Sequence, residues 1–138
     1  MNILFFLTPK QDVSFLYDDY TIEQALQVME RRRYKGIPVL RRDGTYDGTL
    51  TEGDLLWGVR RNHEGDFQKA AREPLSSIAH HKDNTPVQAS TSMDDLLEKA
   101  EHQSFVPVID DRGMFIGIIT RRSILKYLTE KVHPEYKG

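Results

Sequence analysis

The chain has 138 residues, no cysteine and a formal net charge of −2. That length holds one domain, or two halves sharing a core. The missing cysteines exclude disulfides and thiol catalysis and fit a reducing compartment, and the slight acidity excludes the basic footprint of most nucleic-acid binders.

The elements follow in chain order. The apolar run Ile3-Leu4-Phe5-Phe6-Leu7 is too short to span a membrane and lacks the basic flank of a signal peptide. No membrane association and a cytoplasmic location are therefore expected. Thr21 is placed to cap a helix carrying Ile22, Ala25, Leu26 and Met29 on one face. Gly36 is expected to end that helix. Ile37 to Leu40 reads as a strand, and Asp43-Gly44 as a hairpin turn. A second strand is expected over Tyr46 to Leu50, then a helix from about Glu52 with Leu55, Leu56 and Val59. Polar residues 62–66, a short helix at Phe67 to Ala71 and Pro74 make up a connecting segment long enough for a lid or contact role.

The same plan then returns. Ser92 should cap a helix with Met93, Leu96, Leu97 and Ala100. Strands are expected at Phe105 to Ile109 and Met114 to Ile119, and a last helix at Ser123 to Leu128. Pro38 and Pro107 are 69 positions apart, as are Gly48 and Gly117. Between cap and Pro the second half is two residues shorter, a deletion expected at the helix–strand junction. Such a duplication implies pseudo-two-fold symmetry and two related clefts.

The repeated pattern is apolar-Pro-Val-apolar, then Asp-Gly or Arg-Gly, then Gly-x-x-Thr-x-x-Asp, with Ser in the last place of the second copy. It resembles the cystathionine-β-synthase (CBS) domain, and two copies resemble a CBS pair, or Bateman module, over about residues 8–130. The resemblance implies an α/β (α+β) fold of tandem CBS repeats, two small sheets flanked by helices with pseudo-two-fold symmetry. Residues 8–60 would form repeat 1, 61–84 the connecting segment and 85–130 repeat 2, in a single stand-alone module spanning 1–138. Such modules typically bind adenosine-containing nucleotides between the repeats, regulate a partner protein, and are not enzymes.

Physical chemistry agrees with that implication. Thr51 and Asp54 open a helix, whose N-terminus suits phosphate. A carboxylate there can accept charge-assisted bonds from a ribose diol. The plainer reading of Thr51-Glu52-Gly53-Asp54 is a capping box alone. In the second copy, Ser123 stands where the ribose-binding Asp is expected, and Arg121 and Arg122 follow Thr120. Guanidinium forks suit phosphate oxygens. Two unequal sites are expected, one reading ribose through Asp54 and one reading phosphate through Arg121 and Arg122. The family pattern joins each lead segment to the other repeat's Thr motif. The Thr120 site would then include Lys10, Val13, Ser14 and Ile37, and the Thr51 site Thr85, Val87, Ala89 and Val106. Ile37 and Val106 would pack on a purine face.

Residues 9–14, with Gly117-Ile118-Ile119-Thr120-Arg121-Arg122 and Ile124-Leu125-Lys126, also resemble small Gram-positive CBS-pair proteins that bind cyclic di-AMP. The first copy, Gly-Thr-Leu-Thr-Glu-Gly-Asp, points to ordinary adenine nucleotides, so AMP, ADP, ATP and cyclic di-AMP all stay open as ligands. No other cofactor is required. A homodimer through the apolar helix faces of Leu55, Leu56, Trp57, Leu125 and Leu128 is expected, with an unidentified regulated protein as partner. Two other readings are a structural dimerisation module with vestigial clefts and a nucleotide-directed enzyme, for which no base, nucleophile or metal set stands out. His80, His81 and Asp83 make a weak metal candidate, and His63, His102 and His133 read as solvated or locally paired.

Overall fold

In the computed structural model, which describes residues 1–32, 35–78 and 84–135, the apolar start of the chain folds as a 3-10 turn, Ile3–Phe6, capped by the Asn2 side chain. Strand β1 (Thr8–Pro9), a second 3-10 turn (Lys10–Asp12) and strand β2 (Leu16–Tyr17) follow. Thr21 then opens helix α1 (Ile22–Arg32). Its Oγ1 accepts from the Gln24 N–H at 3.2 Å, and Gln24 Oε1 accepts from the Thr21 N–H at 2.8 Å. This reciprocal cap satisfies two donors that a helix start otherwise leaves unpaired. The helix buries Ile22, Ala25 and Met29 on one face. Full burial of a side chain such as Ile22 contributes about 1.5–3 kcal/mol.

Strands β3 (Gly36–Leu40) and β4 (Tyr46–Thr51) pair antiparallel around a turn in which Gly44 has φ 92°. Gly36 does not end α1 as expected. It opens β3 opposite Thr51, where a Cβ would already touch Thr49 Cγ2 at 3.4 Å. Helix α2 (Glu52–Asn62) follows directly from β4, and the short α3 (Phe67–Ala70) is capped by Asp66.

The second copy has the same order: β5 (Val87–Gln88), α4 (Met93–His102), β6 (Phe105–Ile109), β7 (Phe115–Thr120) and α5 (Arg121–Val132). Ser92 caps α4 by accepting from the Asp95 N–H at 3.1 Å. Strand β7 starts one residue later than expected, and Met114 before it forms a single β-bridge, its N–H donating to Asp110 Oδ1 at 2.9 Å. Helix α5 starts earlier than expected because Thr120 caps it. The two-residue difference between copies falls partly inside the helix, since α1 has 11 residues and α4 has 10. Both hairpins carry a bulge at matching places, between Val39 and Leu40 and between Val108 and Ile109.

Two compact units result, and they do not follow chain order. Ser14–Asn84 form one, and Met1–Val13 join Thr85–Gly138 in the other. The first-half unit has a three-stranded sheet, β2-β3-β4, with a core built from Leu16, Ile22, Ile37, Leu50, Val59 and Ile78. The second-half unit has a four-stranded sheet, β1-β7-β6-β5, with a core of Val87, Leu96, Val106, Ile119 and Ile124 completed by Ile3 and Phe6 from the start of the chain.

Candidate nucleotide site

The two Thr-led helix starts are built alike. At α2, Thr51 Oγ1 accepts from the Asp54 N–H at 3.0 Å, and Asp54 Oδ2 accepts from the Thr51 N–H at 2.8 Å. At α5, Thr120 Oγ1 accepts from the Ser123 N–H at 3.1 Å. Ser123 cannot return the second bond of the box, and its Oγ instead donates to the Thr120 carbonyl at 2.8 Å. The N–H of the next residue is held in both copies, Glu52 by the Lys35 carbonyl at 3.0 Å and Arg121 by that of Ser104 at 2.9 Å. The first turn of α2 carries Glu52 and Asp54, whereas that of α5 has no acidic residue. The α5 start is therefore the more favourable of the two for an anion.

The two arginines separate. Arg121 is half-buried and turns its Nε toward the Ala100 carbonyl, 2.7 Å away in the last turn of α4. Arg122 is exposed. Arg121 thus holds a helix end through Nε, while Arg122 is presented to solvent.

The lead segment joins this unit by strand pairing with β7. Thr8 pairs with Ile118 and Pro9 with Gly117, antiparallel, and the Lys10–Asp12 turn that follows also contacts β7. Gly117 is required there, because a Cβ would stand 2.2 Å from the Thr8 carbonyl oxygen and 2.8 Å from Leu7 Cδ1. Lys10 and Val13 thereby belong to the same unit as Thr120, Arg121, Arg122 and Ser123. Ser14 and Ile37 belong to the other unit, with Thr51 and Asp54. Thr85, Val87, Ala89 and Val106 lie in the second-half unit. Ile37 and Val106 each have 0 % exposure and are part of their unit's hydrophobic core.

Several positioning residues escaped the sequence reading. The Tyr46 hydroxyl donates to the Asn84 carbonyl at 2.8 Å and lies 2.7 Å from Thr49 Oγ1, which also accepts from Asn84 Nδ2 at 3.0 Å. Burial pushes the Tyr46 phenol up to about 12. In the other unit, Gln103 Nε2 donates to the Thr85 carbonyl at 3.1 Å and Lys99 Nζ donates to Thr85 Oγ1 at 2.6 Å. His63 pairs with Ser77 Oγ at 2.8 Å, and His133 lies 3.6 Å from Glu135. His80, His81 and Asp83 lie outside the described residues, and among the described residues no cluster of metal-ligating side chains occurs. No helix among them is long and apolar enough to cross a membrane.

Tandem strand–turn–strand–helix units with Thr-capped helices and a lead strand docked on the second hairpin define a duplicated α/β module. The chain belongs to the CBS-domain family, whose model matches residues 7–60 and 75–130. It is 30% identical over 114 residues to homoserine O-acetyltransferase of Methanohalophilus mahii, covering 83% of this chain but only 22% of that enzyme. In structure it is similar to CbpB in complex with c-di-AMP, with a TM-score of 0.85 at 22% identity, covering 97% of this chain and 88% of that one. It is also similar to CBSX2 in complex with AMP, with a TM-score of 0.72 at 23% identity, covering 96% and 98%.

Proposed function

We propose that this chain is a regulatory module that senses an adenine nucleotide, AMP, ADP or ATP, and signals to a partner protein without catalysis of its own. The observation that carries this reading is the docking of residues 8–12 on β7, which sets the Lys10 turn beside the strand that ends at Thr120. In this reading the α5 start and the exposed guanidinium at Arg122 offer an anion a helix N-terminus and a positive charge, and Lys10 of the same unit adds an ammonium. Thr51 and Asp54 supply a second, more acidic helix start suited to a ribose diol.

Cyclic di-AMP is the second reading. It is favoured by the first turn of α5, which has two arginines and no carboxylate to repel a dianion. The likeness to CbpB in complex with c-di-AMP supports it at the level of the fold. A homodimer through the exposed apolar helix faces accompanies either ligand.

Thermal-shift titration with AMP, ADP, ATP and cyclic di-AMP tests the proposal. A ligand that binds only the folded chain stabilises it by about 2.7 kcal/mol at a hundredfold excess over Kd. A shift with one of the four, lost in Arg122→Ala or Asp54→Asn, supports the sensor. No shift with any leaves a structural dimerisation module.

A further inference from the structure

Polar side chains are costly to bury, so the use made of each buried one is informative. Among the described residues two are buried, Thr49 at 3% exposure and Gln103 at 9%. They belong to different units. Thr49 faces Pro38 in the first hairpin, and the matching place opposite Pro107 in the second is held by Ile118. A strand accepts an apolar residue at that place, so the hydroxyl of Thr49 has another use.

Both buried side chains are spent on consecutive residues. Thr49 Oγ1 accepts from Asn84 Nδ2 at 3.0 Å, and the Asn84 carbonyl accepts from the Tyr46 hydroxyl at 2.8 Å. Gln103 grips the next residue twice. Its Nε2 donates to the Thr85 carbonyl at 3.1 Å, and its Oε1 accepts from Thr85 Oγ1 at 3.2 Å. Lys99 Nζ adds a third bond, to Thr85 Oγ1 at 2.6 Å. Asn84 is the last residue of the first-half unit, and at Thr85 the chain re-enters the second-half unit. Each residue is fastened inside its own unit, so the peptide bond joining them has a held residue on either side.

The other crossing differs. At Val13–Ser14 the Val13 N–H bonds back to the Lys10 carbonyl, and among the described residues no side-chain hydrogen bond holds either residue. A tight polar grip is therefore particular to Asn84–Thr85. Fastening Asn84 removes torsional freedom that Thr85 would otherwise share. The second grip then forms at a lower entropy cost once the first is in place, and the reverse holds equally.

We infer that Asn84–Thr85 is a clamped joint through which the two units gain and lose stability together. This goes beyond the nucleotide reading and needs no ligand.

The test is a double-mutant cycle on the full chain, read by urea denaturation. Thr49→Val removes the buried hydroxyl, and Gln103→Met removes the buried carboxamide. Thr49 and Gln103 share no hydrogen-bond partner, and such side chains normally act additively. Here the unfolding constant of the double variant should depart from the product of the single effects by at least about fivefold, in the direction of a smaller combined loss. A smaller departure overturns the inference. The same cycle with two glycines inserted between Asn84 and Thr85 should become additive within about twofold, because slack lets each grip form alone. Non-additivity that survives the insertion travels by another route and also overturns the joint. Native-state hydrogen exchange on the natural chain keeps the test open should the double variant fail to fold. The slowest amides of β4 and of β6 should be protected to within about tenfold of each other, and a wider gap shows the units opening separately and overturns the joint. Nucleotide titration plays no part in these readings, so failure of the joint and failure of the sensor are seen apart.

Discussion

Arg121 donates its Nε–H to the carbonyl oxygen of Ala100 at 2.7 Å, so the first residue of α5 closes the last turn of α4. Arg121→Ala should therefore lower unfolding free energy by about 1–2 kcal/mol, since it strips a charged donor from a helix-end carbonyl. Arg122→Ala should leave stability within about 0.5 kcal/mol, as exposed substitutions usually do, while weakening nucleotide binding. Urea denaturation and calorimetric titration of the two variants read these effects separately. Equal losses of stability would contradict the division of roles.

Asp54 has two candidate jobs, closing the Thr51 cap and binding a ribose. Asp54→Ala should cost about 1 kcal/mol of stability through the lost acceptor for the Thr51 N–H. Asp54→Asn keeps an acceptor and removes only the charge. It should hold the melting temperature nearly constant yet weaken an adenosine ligand about tenfold where that carboxylate binds the diol. Unchanged affinity in Asp54→Asn would restrict Asp54 to capping.

Gly117→Ala should displace the lead segment, because the added methyl would overlap the Thr8 carbonyl at 2.2 Å. A loss of about 1–3 kcal/mol is expected for such overpacking. Limited proteolysis should cut residues 1–13 faster, and any ligand shift that depends on Lys10 should fall with it.

Two glycines of α2 should respond to the same change with opposite signs. A Cβ at Gly53 meets only Thr51 Oγ1 at 3.7 Å, so Gly53→Ala should stabilise by about 0.5–1 kcal/mol through helix propensity. A Cβ at Gly58 would lie 2.6 Å from Ile78 Cβ, so Gly58→Ala should destabilise by about 1–3 kcal/mol. Thermal melts of the pair check both directions.

Tyr46 gives a pH signature. Its folded pKa, pushed up to about 12, exceeds the unfolded value of 10.0. The folded chain thus holds a proton that the unfolded chain has released. The associated stability is full below the unfolded pKa and is lost as pH rises toward 12. Tyr46→Phe should cost on the order of 1–2 kcal/mol at neutral pH. The gap between the natural chain and the variant should narrow between pH 10 and 12, as followed by urea melts across that range.

The repeat made most of the fold legible. Helices at Ile22 and Met93, the Gly44 turn and its counterpart at Gly113, and the Thr51 and Thr120 caps follow from local chemistry that two copies state independently. The side-chain destinations were not legible. Arg121 beside Arg122 reads as a pair in sequence, and only the packing of α4 against the start of α5 separates them. The burial of Ile37 and Val106 in the core follows from strand register, which the short motif around each Pro does not display. Tyr46, Asn84, Lys99 and Gln103 act across long sequence separations, where periodicity carries no information.

The placement of Met1–Val13 also sets a timetable for synthesis. These residues are made before the rest of the fold described above, yet their strand partners, Gly117 and Ile118, come more than a hundred residues later. Ser14–Asn84, by contrast, has all its sheet partners within one continuous stretch and can close while translation proceeds. The newborn chain must carry Ile3 and Phe6 uncovered through most of its elongation, and an early stop codon in the second half strands them permanently. Truncated products should therefore be the form of this protein that chaperones and proteases meet most often.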